Sequence, residues 1–203
     1  MKSKMFVVAG LSATLVLLLS ALPATAGTVT MQFNGLPTGN NYAGEASYPY
    51  EVSVNGGPNQ WMMCIGFNEH ITGGETWKAT PVSIGSLDVN ADHVYYEAAF
   101  LFKQAVADGG ANVNLQAADW WLLEGTPALT AGGQALVALA QSQTYTQGEY
   151  SDVLLYKAIP GTESLNLGTP QSFLSSTPEP GTLVMFGSGI AGLAGLLRRK
   201  LSV

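Results

Sequence analysis

Two apolar segments, one at each end of the 203-residue chain, set the terms for everything between them. Near the start, Lys2 and Lys4 precede an almost unbroken apolar run over residues 5–22, and Ala24, Thr25 and Ala26 stand just before Gly27. A basic start, an apolar stretch and an A-x-A end are the layout of a secretory signal peptide. Cleavage is expected after Ala26, with Ala24 and Ala26 as the small residues the peptidase reads. An 18-residue apolar run is also just long enough to stay as an anchor, but Pro23 and the small residues that follow it argue for removal.

At the other end, residues 181–197 carry no charge and run into Arg198, Arg199 and Lys200. A helix rising about 1.5 Å per residue roughly matches a bilayer core over that length. The basic cluster beyond it predicts a cytoplasmic end. Both ends therefore predict one topology: residues 27–177 outside the inner membrane, held to it by the C-terminal helix.

The tail is more specific than an anchor. Pro178, Glu179 and Pro180 precede the apolar, glycine-rich span, and the basic end closes it. This arrangement resembles the PEP-CTERM sorting signal of bacterial surface proteins. The resemblance implies an exosortase-type membrane protease as a processing partner, and a mature protein at the cell surface or in the extracellular matrix.

Charge follows from the same division. Three lysines, Lys78, Lys103 and Lys157, face 13 acidic residues in the exported stretch, a net of about −10. That balance repels nucleic acid and anionic membrane surfaces, so no nucleic-acid partner is expected.

Residues 28–33, 48–54, 60–67, 75–84 and 152–159 are rich in β-branched and aromatic side chains and bounded by Gly, Pro and Asn, and they read as strands. The "NGGPN" run at 55–59 suits a hairpin connection. Helical spacing predicts helices over 93–107, capped by Asp92 and stopped at Gly109 and Gly110; over 115–124, capped by Asn114 and closed by Gly125; and over 131–141, started by Thr130. The fold class is α+β, a β-rich domain with a helical insertion over residues 27–159. The Ser/Thr/Gly/Pro-rich stretch 160–177 reads as a linker, and 178–203 as the sorting signal.

The chain has one cysteine, Cys64, in "WMMCIGFNEH". A lone cysteine in an exported protein points to an intermolecular bond, a reactive thiol or a masked one; a buried Cys acting as a small hydrophobe is the ordinary alternative. "MMCIG" on an expected strand and "LQAADWW" on an expected helix together resemble the thioester domains of bacterial surface adhesins. The resemblance rests on Met63, Cys64 and Ile65, and on Leu115, Gln116 and Trp120. It implies a bond between Cys64 and Gln116: the thiol attacks the carboxamide carbon, ammonia leaves, and the acyl group is later taken by an amine on a target surface. Asp119 departs from the family pattern, standing where an apolar residue is usual; its charge would hinder burial of the bond, or else marks a chain that kept the fold and lost the chemistry.

Three functional readings follow. The first is an adhesion or matrix module, covalent if Cys64 and Gln116 are joined, whose partner is a surface amine. The second is a non-reactive structural protein of the envelope or biofilm. The third is a module binding polysaccharide through Trp120 and Trp121, of which at least one is expected in the core, because neighbouring positions on a helix point apart. "DVNADH" at 88–93 begins like a calcium loop, but His93 and Ala99 stand where the turn Gly and the bidentate Glu belong, so a helix cap accounts for it better. His70 and His93 offer no zinc spacing. No nucleophile elbow or phosphate loop is present, so neither metal, cofactor nor turnover enzyme is expected.

Overall fold

A computed structural model describes residues 27–165 and 170–177. The expected signal peptide with Ala24 and Ala26, the Pro178-Glu179-Pro180 motif, the span 181–197 and the basic end lie outside the described residues. Among the described residues, no helix is long and apolar enough to cross a membrane.

Six strands close an antiparallel barrel: β1 (Val29–Gly35), β4 (Tyr50–Val54), β5 (Asn59–Cys64), β6 (Thr76–Ser83), β7 (Val153–Ala158) and β8 (Phe173–Ser176). Around it they run β1-β4-β5-β8-β7-β6, with β6 pairing back onto β1. Two short strands, β2 (Asn41–Tyr42) and β3 (Glu45–Ala46), pair with each other beside it. Three helices, α1 (His93–Ala107), α2 (Val113–Glu124) and α3 (Ala131–Gln141), are inserted between β6 and β7. The β-rich body with a helical insertion is thus present, as a closed barrel.

Period-two alternation explains how one sheet serves two cores. On β5, Met62 and Cys64 point into the barrel and Met63 points to the helices; on β8, Phe173 points in and Leu174 out; on β7, Tyr156 points in and Leu155 out. The barrel interior is filled by Met31, Phe33, Tyr50, Val52, Trp77 and Phe173. The Phe173 ring meets Tyr50 edge-on at 5.5 Å and Trp77 at 5.9 Å. Outside, Met63, Leu155 and Leu174 pack against Tyr96, Leu101 and Phe102 of α1. Strands buried on both faces read as unbroken apolar runs, which is why "MMC" shows no alternation.

The β4–β5 hairpin turns as the residues demand. Asn55 and Gly56 both take positive φ, 52° and 69°, and Gly57 N–H donates to the Val54 carbonyl at 2.9 Å. That is a type I′ turn, which Asn-Gly adopts at least cost.

The structure corrects three expectations. Residues 160–177 are not all linker, because 173–176 form β8, hydrogen-bonded to β5 on one side and β7 on the other. Four residues in a Ser/Thr-rich setting carry little strand signal of their own; two waiting strand edges supply the pairing. The cap of α2 is Asn112, not Asn114: its Oδ1 accepts from Asn114 N at 3.1 Å, and the helix begins at Val113. Asp92 makes no side-chain cap bond to α1. Asp88 instead accepts from Asn90 N and Ala91 N, forming the turn that leads into α1. Two other helix ends follow the sequence: Thr130 Oγ1 accepts from Gly133 N, and Gly125 ends α2 at φ 73°.

Asn112→Ala will therefore lower stability by about 1 kcal/mol, the usual cost of losing a helix cap. A thermal melt will show this as a fall of roughly 2–4 °C.

Candidate functional site

Cys64 is the last residue of β5, and its side chain sits in the barrel interior, fully buried. Its Sγ donates to the Gly66 carbonyl at 3.1 Å, where the chain leaves the strand. Burial pushes the Cys64 thiol above its ordinary range. A backbone hydrogen bond at Gly66 opposes this, while the Glu69 charge reinforces it.

The partner element is α2. It buries six consecutive residues, Leu115 to Trp120, because it lies against α1 on one side and α3 on another, and its Gln116 reaches the end of β5. A helix covered all round carries no single polar stripe. Gln116, Asp119 and Trp120 nevertheless share one face, at spacings of three and four. Leu115 packs into the helical core.

Gln116 reaches the strand: its Nε2 donates to the Cys64 carbonyl at 2.5 Å, across 52 residues of sequence. The fold thus brings together the two residues that the sequence pairs. Trp120 closes over them, fully buried, with its ring edge-on to Phe67 at 5.2 Å.

Four polar atoms here are buried without a hydrogen-bond partner: Gln116 Oε1, both Asp119 carboxyl oxygens and Trp120 Nε1. Buried polar groups are nearly always paired, and each one left unpaired costs about 1–3 kcal/mol. Asp119 is fully buried, and burial, with the Glu124 charge adding to it, holds its carboxyl well above the usual carboxylate range. Burial thus shifts this position toward the neutral form, against the charge expected to hinder it.

The loop after Cys64 is pinned from two sides. Gln171 Nε2 donates to the Glu69 carbonyl, Ser172 N donates to Glu69 Oε2 at 3.3 Å, and Ile65 N donates to the Ser172 carbonyl at 3.0 Å. Across the loop, Asn68 Nδ2 donates to Glu124 Oε2, at the end of α2, at 2.8 Å. Between these supports lies a cleft of about 230 Å³ whose walls include Gly66, Glu69, Tyr95, Glu124 and Ser172. Sequence reasoning did not find Glu69 and Glu124. They lie 55 positions apart, no spacing links them, and only the fold sets them on one opening.

Of the tandem tryptophans, Trp120 is core and Trp121 is 38% exposed. Trp121 lines a groove of about 340 Å³ with Leu129, Gln134 and Gln141.

The structure is similar to the N-terminal domain of the Streptococcus pyogenes pilus tip adhesin Cpa. The two share 10% identity at a TM-score of 0.38, over 73% of this chain and 92% of that one. No curated protein sequence matches the chain. Residues 176–200 match the PEP-CTERM protein-sorting motif, which implies processing by exosortase, a membrane protease. The match begins at the last residue of β8, so the sorting segment follows the barrel with almost no spacer. The chain carries a PEP-CTERM protein-sorting motif and is an exported protein sorted to the cell surface.

Proposed function

We propose that the exported domain is an adhesion or matrix module that attaches covalently through an internal thioester between Cys64 and Gln116. The observation that carries this reading is the buried Gln116 carboxamide, held on the Cys64 backbone with its own oxygen unpartnered. In this reading Cys64 Sγ bonds to Gln116 Cδ, the C–N bond breaks, and the thiol proton leaves with the amide nitrogen as ammonia. A raised thiol pKa makes Cys64 a poor nucleophile toward solvent species, but a carboxamide held on the Cys64 backbone is present at high effective concentration. Exclusion of water preserves the product. An arriving amine then forms an amide with the Gln116 acyl group, the C–S bond breaks, and the amine's proton restores the thiol.

Methylamine provides the test. The purified protein will gain the mass of one methylamine, together with one newly titratable thiol, and Cys64→Ala and Gln116→Ala will gain neither. A thiol that titrates fully on denaturation before any amine is added, with no mass gain afterwards, sinks the reading. A non-reactive structural module would then be the better account, with Cys64 as packing.

Polysaccharide binding is favoured by a separate observation, the half-exposed Trp121 beside two carboxamides in the α2–α3 groove. Glycan binding that survives Trp121→Ala would remove that second reading.

A further inference from the structure

The barrel carries an aromatic groove at the point where the chain enters its sorting segment. On β5 the outward positions are Met63 and, two residues back, Trp61; on β8 they are Leu174 and, two residues on, Ser176. Met63 pairs with Leu174, and both lie under the helices. The cover ends there. Trp61 is 48% exposed, and no large hydrophobic side chain among the described residues is more so. With Pro58, Gln60, Ser175, Ser176 and Thr177 it lines a groove of about 460 Å³. The walls are fixed: the Ser175 hydroxyl donates to Gln60 Oε1 at 3.3 Å, Ser176 pairs with Val153, and Thr177 N donates to the Asp152 carbonyl at 2.7 Å.

Two of the lining residues also belong to the sorting motif. Ser176 and Thr177 are the first residues of the matched segment 176–200. Both are held in the fold, so an enzyme that reads the motif from its start meets the barrel surface at this groove. The residue count points the same way. Thr177 and Gly181, where the uncharged run begins, are four positions apart, at most about 14 Å even when fully extended. A membrane protease engaging so short a connection comes up against the Trp61 side of the barrel.

We propose that the Trp61 groove is a docking surface for the processing protease, so that recognition extends from the motif onto the folded barrel. Tryptophan is among the residues on which interface energy concentrates, with the surrounding contacts chiefly excluding water. Trp61 and Pro58 supply the apolar anchor, and Gln60, Ser176 and Thr177 supply a polar rim. The complementary surface on the protease is an apolar or aromatic segment of its outer face. Half of the groove is β8, so it exists only once the barrel has closed. Processing then favours the folded protein over the unfolded chain.

The experiment follows processing of the full-length protein in cells that make an exosortase, by the mass of the product at successive times. Trp61→Ala is expected to lower the rate at least about tenfold, the scale of one interface hot spot, with an unchanged thermal melt. A second variant leaves Trp61 in place. About ten Gly/Ser residues and a repeated Ser-Thr are inserted after Thr177, which keeps the matched segment contiguous and moves it away from the groove by roughly 17 Å on average. This spaced protein is expected to be processed as slowly as Trp61→Ala, and adding Trp61→Ala to it is expected to change nothing further. If Trp61→Ala melts early, the spaced protein, whose barrel is untouched, decides. Processing of a well-folded Trp61→Ala, or of the spaced protein, at the unsubstituted rate would overturn the proposal. So would a second, equal loss when the two changes are combined, which would make Trp61 a residue of the fold alone. Absence of any processed product from the unsubstituted protein would remove the partner, and the docking surface with it.

Discussion

A chain ending at Pro170 will not fold, whereas one ending at Thr177 will. The two differ by β8, and β8 is where the barrel closes. Its Phe173 pairs with Cys64 on one side and Tyr156 on the other. Without it, β5 and β7 become two exposed edges, each a row of unpaired backbone groups and a template for aggregation. Phe173 and Leu174 are both fully buried, one in each core. Losing side chains of these kinds costs about 3–5 and 2–5 kcal/mol respectively, a sum comparable to the total stability of an ordinary domain, about 5–15 kcal/mol. Circular dichroism and a thermal melt of the two truncations check this. A cooperative transition in the shorter chain would show that the barrel does not depend on β8.

This dependence bears on sorting. The match to the sorting motif starts at residue 176, and Thr177 N still donates to the Asp152 carbonyl at 2.7 Å. Processing on the C-terminal side of Thr177 leaves every barrel strand intact, whereas a cut before Phe173 would release a strand from the fold.

Asp119→Asn will flatten the dependence of stability on pH. The Asp119 carboxyl has a folded-state pKa well above its unfolded value because it is buried, with the Glu124 charge as a second cause. For a group raised in this way, the folded state binds more protons than the unfolded one between the two pKa values, so stability falls as pH rises. The contribution is fully present below the unfolded value, near pH 4, and is lost progressively as pH climbs through the folded value. Each unit of separation is worth about 1.4 kcal/mol, so removing this titration will make the fall in stability above pH 4 shallower. Asn keeps the size and removes the titration. Denaturant melts at several pH values will give parallel profiles for the two proteins only if Asp119 is ionised at no cost, and that outcome would contradict its burial without a partner.

The contact between Gln116 and Cys64 was legible in the sequence, for a specific reason. Cys64 and Gln116 were each recognisable from short flanks, "MMCIG" and "LQAADWW", and those flanks are also what packing demands: Met63 and Leu115 go to the helical core, and Trp120 closes the site. Helix spans were readable because period 3.6 and Gly stops are local signals; α1 and α3 run over the residues that their spacing indicates. The Asn112 cap was missed because two asparagines two positions apart have equal claims by residue type, and only backbone geometry chooses between them.

What the sequence determined by itself was therefore local or terminal: the address written in residues 176–200, the helices, most of the strands, and two chemically apt residues 52 positions apart. What only the tertiary structure decided was closure and convergence. β8 is a strand because β5 and β7 present edges that it alone completes, the Asp119 carboxyl is raised well above its ordinary range because α2 buries it, and Glu69 and Glu124 line one cleft because the loop after Cys64 is tied to Ser172 and to α2. Each of these depends on contacts between residues far apart in the chain, where periodicity and propensity, which act over a few residues, carry no information.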